Sequence, residues 1–175
     1  CIYIRGNIND KRLLSKFMMK QIFPVLALAL ILTLVPQPAL AVTLEEVDQK
    51  LQAAETSADL LGVENLIQQP LKKPEASGDL AWRLAKTYYL LAKEASRIPR
   101  KKYYSLCLEQ ANRAIDLNNK IAGGYFFKGL CLGKLGEVDG VWSSLGVIEP
   151  LKQNMETAVK LDPTFENGGP HRALG

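Results

Sequence analysis

The sequence predicts an all-α protein of antiparallel helical hairpins stacked one upon the next, and three observations point to it. Between Thr43 and Gly175 apolar residues recur at intervals of three and four, the period of a helix with one buried face. Period-two runs of β-branched residues, which mark half-buried strands, are absent from the same stretch. The third observation is an internal repeat. Ala114-Ile115-Asp116-Leu117-Asn118-Asn119 returns 44 positions later as Ala158-Val159-Lys160-Leu161-Asp162-Pro163. The small residues keep the same step, because Gly129 follows Ala85 by 44 positions and Cys107, Ala111 and Ala114 correspond to Leu151, Met155 and Ala158.

The helices follow in order. Thr43, with Glu45 and Glu46 behind it, opens a first helix that runs to about Thr56; acids in a first turn complement the macrodipole there without any acid–base role. A second covers Ser57–Gln69 and ends at the break marked by Pro70, Pro74, Ser77 and Gly78. Ser77 or Asp79 caps a third, carrying Leu80, Trp82, Leu84, Tyr88 and Leu91, and Pro99 closes or kinks that region. A fourth spans about Arg100–Leu117 and a fifth Ala122–Leu135. A longer stretch, Asp139–Leu161, is interrupted by Gly146 and Pro150.

A repeat of paired helices needs small residues where the two approach closely, and a polar or proline break after the second. Ala85 and Gly129 supply them in first helices; Ala111, Ala114 and Ala158 supply them in second helices, and Asp162-Pro163 supplies the break. This is the tetratricopeptide (TPR) pattern, in a short solenoid whose units of about 44 residues exceed the usual 34 by about ten. The extra residues are expected between the paired helices, at Ser96–Tyr104 and Val138–Ile148. HEAT and armadillo repeats share the period, but the small-residue spacing and the closing Asp-Pro favour TPR. A third copy opens at His171–Gly175 and lacks its second helix, so the domain is expected to be cut short at this end and to leave Leu151, Met155, Ala158 and Leu161 partly uncovered.

Ahead of the repeats, residues 18–41 have the parts of a cleavable signal: Lys20, the apolar run Ile22–Val35 and the small-residue site Ala39-Leu40-Ala41. A run of 14 residues falls short of the roughly 20 that span a bilayer, so cleavage after Ala41 is expected, leaving no stable transmembrane segment. Residues 1–17 read as an upstream extension outside the native protein, and 42–175 as the helical domain. Export places the domain in a periplasmic or secreted, oxidising space where Cys107 and Cys131 could pair, but spacing alone does not show a bond and two small buried apolar residues are the favoured reading.

Apolar residues at 47% and charged residues at 23% exclude both a disordered chain and a membrane bundle. The five basic residues of positions 1–41, opposed by Asp10 alone, account for the whole formal charge of +4. The domain is therefore neutral overall and no nucleic-acid partner is expected. His171 is the only histidine, and no Cys-x-x-Cys or phosphate-binding glycine loop occurs, so no metal, cofactor or catalytic residue is assigned. His171 falls at a helix-packing position. Trp82, Tyr88, Tyr125 and Phe126 lie at core spacing.

Three runs, Asp79–Tyr89 (DLAWRLAKTYY), Gly123–Gly129 (GGYFFKG) and Asp162–Gly175 (DPTFENGGPHRALG), resemble the T-component of the tripartite periplasmic (TRAP) transporters associated with TPR proteins. The eukaryotic regulators of microtubule dynamics have similar helical units. The resemblance covers residues 79–175 and implies a non-enzymatic scaffold that associates with a periplasmic solute-binding protein and assembles with copies of itself. The chain lacks the lipoprotein cysteine of many periplasmic members, so no lipid tether is expected.

The expected function is thus an exported scaffold for protein–protein interaction, an accessory to a solute-binding and transport system. The alternative is a carrier holding a small apolar ligand or lipid between helices. Tyr103, Tyr104 and Trp142, in or beside the added segments, are candidate exposed anchors for a partner, together with Arg172. Arg97, Arg100, Lys101 and Lys102 form a local basic patch, which reads as a solvated helix start or as a contact for an acidic partner.

Overall fold

The structure is a computed structural model that describes residues 42–73 and 76–175, without the side chains of 141–144. The leader, with Ala39 and Ala41, lies outside the described residues, as does the side chain of Trp142. Residues Val42–Gly175 form one unit. Seven helices compose it: α1 (Leu44–Ala53), α2 (Ser57–Leu71), α3 (Gly78–Glu94), α4 (Arg97–Leu117), α5 (Ala122–Asp139), α6 (Val141–Leu161) and α7 (Phe165–Leu174). No strand occurs among the described residues.

The helix starts follow from local chemistry. The Thr43 hydroxyl accepts from the Glu46 N–H at 3.1 Å and caps α1. Thr56 and Asp59 satisfy each other's backbone donors at the start of α2, a reciprocal capping box. The Ser77 hydroxyl accepts from Asp79 N–H at 3.1 Å and caps α3. Gly140, at φ +108, turns α5 into α6 with a backbone that side-chain-bearing residues rarely adopt.

Each helix packs on the next, and the odd-numbered helices also touch in series, α1 on α3, α3 on α5, α5 on α7. Among the described residues the even helices α2, α4 and α6 make no contact with one another. The described unit is therefore two layers, an inner row of odd helices and an outer row of even ones. Helices α4 and α6 each hold 21 residues and begin 44 positions apart, at Arg97 and Val141. Their ends match as well: Asn118 and Asp162 donate from their N–H to Ala114 and Ala158 at 2.9 Å with nearly the same backbone angles.

Close approach depends on small side chains. Ala85, Ala111, Ala114 and Ala158 have no exposed surface. A Cβ added at Gly129 would lie 2.7 Å from the Met155 methyl, and one at Gly123 would stand 2.6 Å from the Trp82 ring, so α5 meets its neighbours there nearly backbone to side chain. In the inner row the Trp82 ring stacks on Phe127 with centroids 6.1 Å apart and meets the edge of Phe165 at 5.3 Å, joining α3, α5 and α7.

Polar pins fix the first hairpin. Arg83, 9% exposed, donates to both carboxylate oxygens of Asp48 at 2.7 and 2.6 Å and lies 4.2 Å over the Trp82 ring. Tyr88 donates to Glu64 at 2.8 Å, linking α3 to α2, and the Arg113 guanidinium donates to the Leu71 carbonyl at the end of α2. Cys107 and Cys131, both fully buried, form a disulfide between α4 and α5 across a Cα separation of 6.2 Å.

Four expectations are corrected. The extra residues of each unit are not loops between helices but the opening turns of α4 and α6, which run unbroken through Pro99 and Pro150. Pro99 stands third in α4, where its missing N–H would have had no partner, and Pro150 costs one hydrogen bond to the Gly146 carbonyl inside a long helix. Met155 and Ala158 are fully buried and not partly uncovered, whereas Leu151 is half-buried and Leu161, at 37% exposure, is open, as expected. His171 is exposed and packs no helix. The chain near it makes a tight left-handed turn, with positive φ at Glu166, Asn167 and Gly168, instead of entering the third copy directly.

Ala114→Leu should destabilise the protein by about 1–3 kcal/mol through overpacking, because its methyl faces the closely placed backbone of Gly124. An unchanged melting temperature would contradict that packing. The double substitution Cys107→Ala and Cys131→Ala should cost about 3 kcal/mol in denaturant melts, the loop-closure value for a link of this span. Equal stability of the wild type with and without reductant would contradict it.

Burial, then the Glu64 contact, pushes the Tyr88 hydroxyl up to about 12 from its ordinary 10.0. The folded state thus holds this proton more tightly than the unfolded chain. Its contribution to stability is intact below pH about 10 and is lost as pH rises towards about 12. Ultraviolet titration of the phenolates should show a late component that Tyr88→Phe removes; a wild-type profile without one would refute the assignment.

Candidate functional site

Where α3 ends, α4 begins and α5 ends, the three helix termini enclose an open groove of about 670 Å³. The local sequence makes the corner. Helix α3 stops at Ala95, whose N–H still reaches the Leu91 carbonyl, and Ser96 starts α4 without a side-chain cap. Arg100 instead folds back and donates from Nε and Nη2 to the Ala95 carbonyl at 3.1 and 2.8 Å, holding the corner closed. Lys101 pairs with Asp139 at 2.6 Å and so ties α4 to the end of α5.

Tyr89 from α3 and Tyr104 from α4 line the groove with ring centroids 5.9 Å apart. Lys93, Arg97, Arg100 and Lys134 bring four cations to it, and Glu137 is the one acid among its lining residues. Lys134 donates to both oxygens of Glu137 at 2.9 and 2.8 Å, and that hydrogen bond raises its pKa, keeping it charged. Burial raises the Tyr104 pKa above its ordinary value. Lys93 and Arg97 are exposed and have no ion pair among the described residues.

The residues expected to meet a partner are not gathered at one place. Tyr104 belongs to the groove, but at 4% exposure it is part of the core and not an exposed anchor. The continuous α4 brings it down onto α3, where an irregular insertion would have left it outside. Tyr103 is half-buried and stacks on Tyr88 with centroids 6.3 Å apart. Arg172 is exposed on α7, where its guanidinium donates to the Asn167 carbonyl and, at 3.1 Å, to that of Glu166, closing the left-handed turn. Ala85, Ala111, Ala114, Gly129 and Ala158 are buried between helices, away from any open surface.

Of the basic patch at 97–102, Arg97 and Arg100 reach the groove, whereas Lys101 is taken up by Asp139. Sequence reasoning missed Lys93, Lys134 and Tyr89. Lys93 falls in the last turn of α3, where a lysine is explained by the macrodipole alone, and Lys134 is explained by its pairing with Glu137 one turn on. Only the packing of α3 against α5 gathers them around one space. No group of three or more metal-ligating side chains occurs among the described residues. No helix among the described residues is long and apolar enough to cross a membrane.

The sequence model of regulator of microtubule dynamics protein 1-3 matches residues 43–167, which include α1 to α6. Regulator of microtubule dynamics protein 1 of Bos taurus is 24% identical over 121 residues, covering 67% of this chain and 38% of the relative. The chain thus spans well under half the length of that curated relative. The match over most of its length and the all-helical fold agree, and the chain belongs to the regulator of microtubule dynamics protein 1-3 family.

Proposed function

We propose that this chain is a non-enzymatic scaffold of TPR-like helical hairpins that binds a partner protein. The supporting observation is the groove at the α3–α4–α5 corner. It is open to solvent, and half of its lining is Tyr and Arg, the types that carry most binding energy at protein interfaces. A fold of this kind offers a rigid row of helix ends and leaves specificity to the side chains on them.

Export to an oxidising compartment and service to a periplasmic solute-binding system, in the manner of the TRAP T-component, complete the proposal. The leader pattern of residues 18–41 supports export, as does the buried Cys107–Cys131 disulfide, since such links persist in oxidising spaces. Assembly with copies of itself rests on the T-component resemblance alone. The relative's printed name concerns microtubule dynamics and describes that protein.

A photo-reactive residue placed at Arg97 or Val138 should cross-link a partner protein in the native host, whereas the same residue at Leu61, on the outward side of α2, should not. If no protein is captured at the groove and the purified chain instead yields a stoichiometric apolar molecule on solvent extraction, the carrier reading replaces this one.

A further inference from the structure

The groove carries a positive charge that the fold itself does not use. Four cations surround it against Glu137. Arg100 is committed to the Ala95 carbonyl and Lys134 to Glu137, but Lys93 and Arg97 have no ion pair among the described residues. The start of α4 adds to the imbalance. A helix N-terminus favours an acid and a capping side chain, yet the first turn of α4 holds no acid and Ser96 makes no side-chain cap. Arg97 and Arg100 stand there instead, so their charge and the positive end of the helix act in the same direction.

We propose that this groove binds an acidic peptide segment of the partner protein. Carboxylates would meet Lys93 and Arg97 on the rim, and Tyr89 and Tyr104 would form an aromatic floor for the stems of the peptide's side chains. The inference rests on the protein-binding reading above and adds the chemistry of what is bound. A peptide is favoured over a small anion because the space greatly exceeds a phosphate, lies open along the surface, and has an aromatic floor that a bare anion does not need. Arg97 provides the planar fork that pairs with a carboxylate, and Lys93 adds a mobile charge beside it.

The experiment uses the full chain and a fluorescein-labelled peptide of repeating Glu-Glu-Ala, with binding followed by anisotropy at low and moderate salt. Binding should be saturable and weaken with salt, and the charge reversal Lys93→Glu with Arg97→Glu should weaken it by about tenfold or more. Both side chains are exposed, so the variant should fold, which circular dichroism checks. Lys120→Glu, an exposed lysine on the α4–α5 connection, should bind as the wild type does. Equal binding by the reversed variant, or no binding by the wild type at low salt, overturns the proposal. Displacement by inorganic phosphate as effective as by unlabelled peptide shows a simple anion site and overturns the peptide as occupant. Capture by phosphatidylserine vesicles through the same two residues, without peptide binding, overturns it in favour of a lipid surface. If a partner cross-links at Arg97 in the native host yet binds the reversed variant unchanged, the scaffold reading stands and the acidic-peptide inference falls.

Discussion

The Trp82 ring, resting against the bare backbone of Gly123, is the contact on which the inner row of helices depends. An indole is too large to sit between two helices unless one of them yields its side chain, and Gly123 does. The ring then reaches Phe127 of α5 and Phe165 of α7, while Phe126 lies 5.6 Å from Phe165. Gly169 yields in the same way to Phe126, since an added Cβ there would lie 2.9 Å from its ring. Aromatic edges and faces thus fill the space between three successive odd helices. The outer helices pack on this row through small residues at their closest points, Ala111, Ala114 and Ala158, and through larger ones such as Ile67, Tyr104 and Met155 elsewhere.

The charged groups near this cluster obey the same geometry. Arg83 covers the Trp82 ring and pairs with Asp48, so α1 is held to α3 by an ion pair whose cation is buried and whose carboxylate is partly exposed. Lys86 reaches Glu166 at 2.6 Å and joins α3 to the left-handed turn within α7. In each case the partner comes from another odd helix.

Much of this was legible in the sequence, for physical reasons. The helix starts at Thr43 and Ser77 could be read from single side chains that accept a backbone hydrogen bond. The 44-residue step could be read because Ala114 and Ala158 face the same constraint, a close helix neighbour, and end in the same cap. The opening turns of α4 and α6 could not, because Pro99, Gly146 and Pro150 read as breaks where the helices run on. That error also misplaced Tyr104, whose burial follows from the continuity of α4. The groove was half legible: Arg97 and Arg100 are neighbours in sequence, whereas Lys93 and Lys134 meet them only through the packing of α3 and α5.

The link between Cys107 and Cys131 joins the second helix of one hairpin to the first helix of the next. Arrays of stacked hairpins can ordinarily peel apart one unit at a time when their ends are drawn apart, because each unit touches only its neighbours. Here the segment between the two cysteines is removed from the extensible chain. At about 3.5 Å per residue that shortens the fully drawn-out protein by about 80 Å. Tension applied at the termini is carried across the bond and not through the α4–α5 connection, so the end of α4 and the start of α5 stay tied when the rest has been drawn out, whereas the groove residues, all outside that loop, lie on the extensible part of the chain.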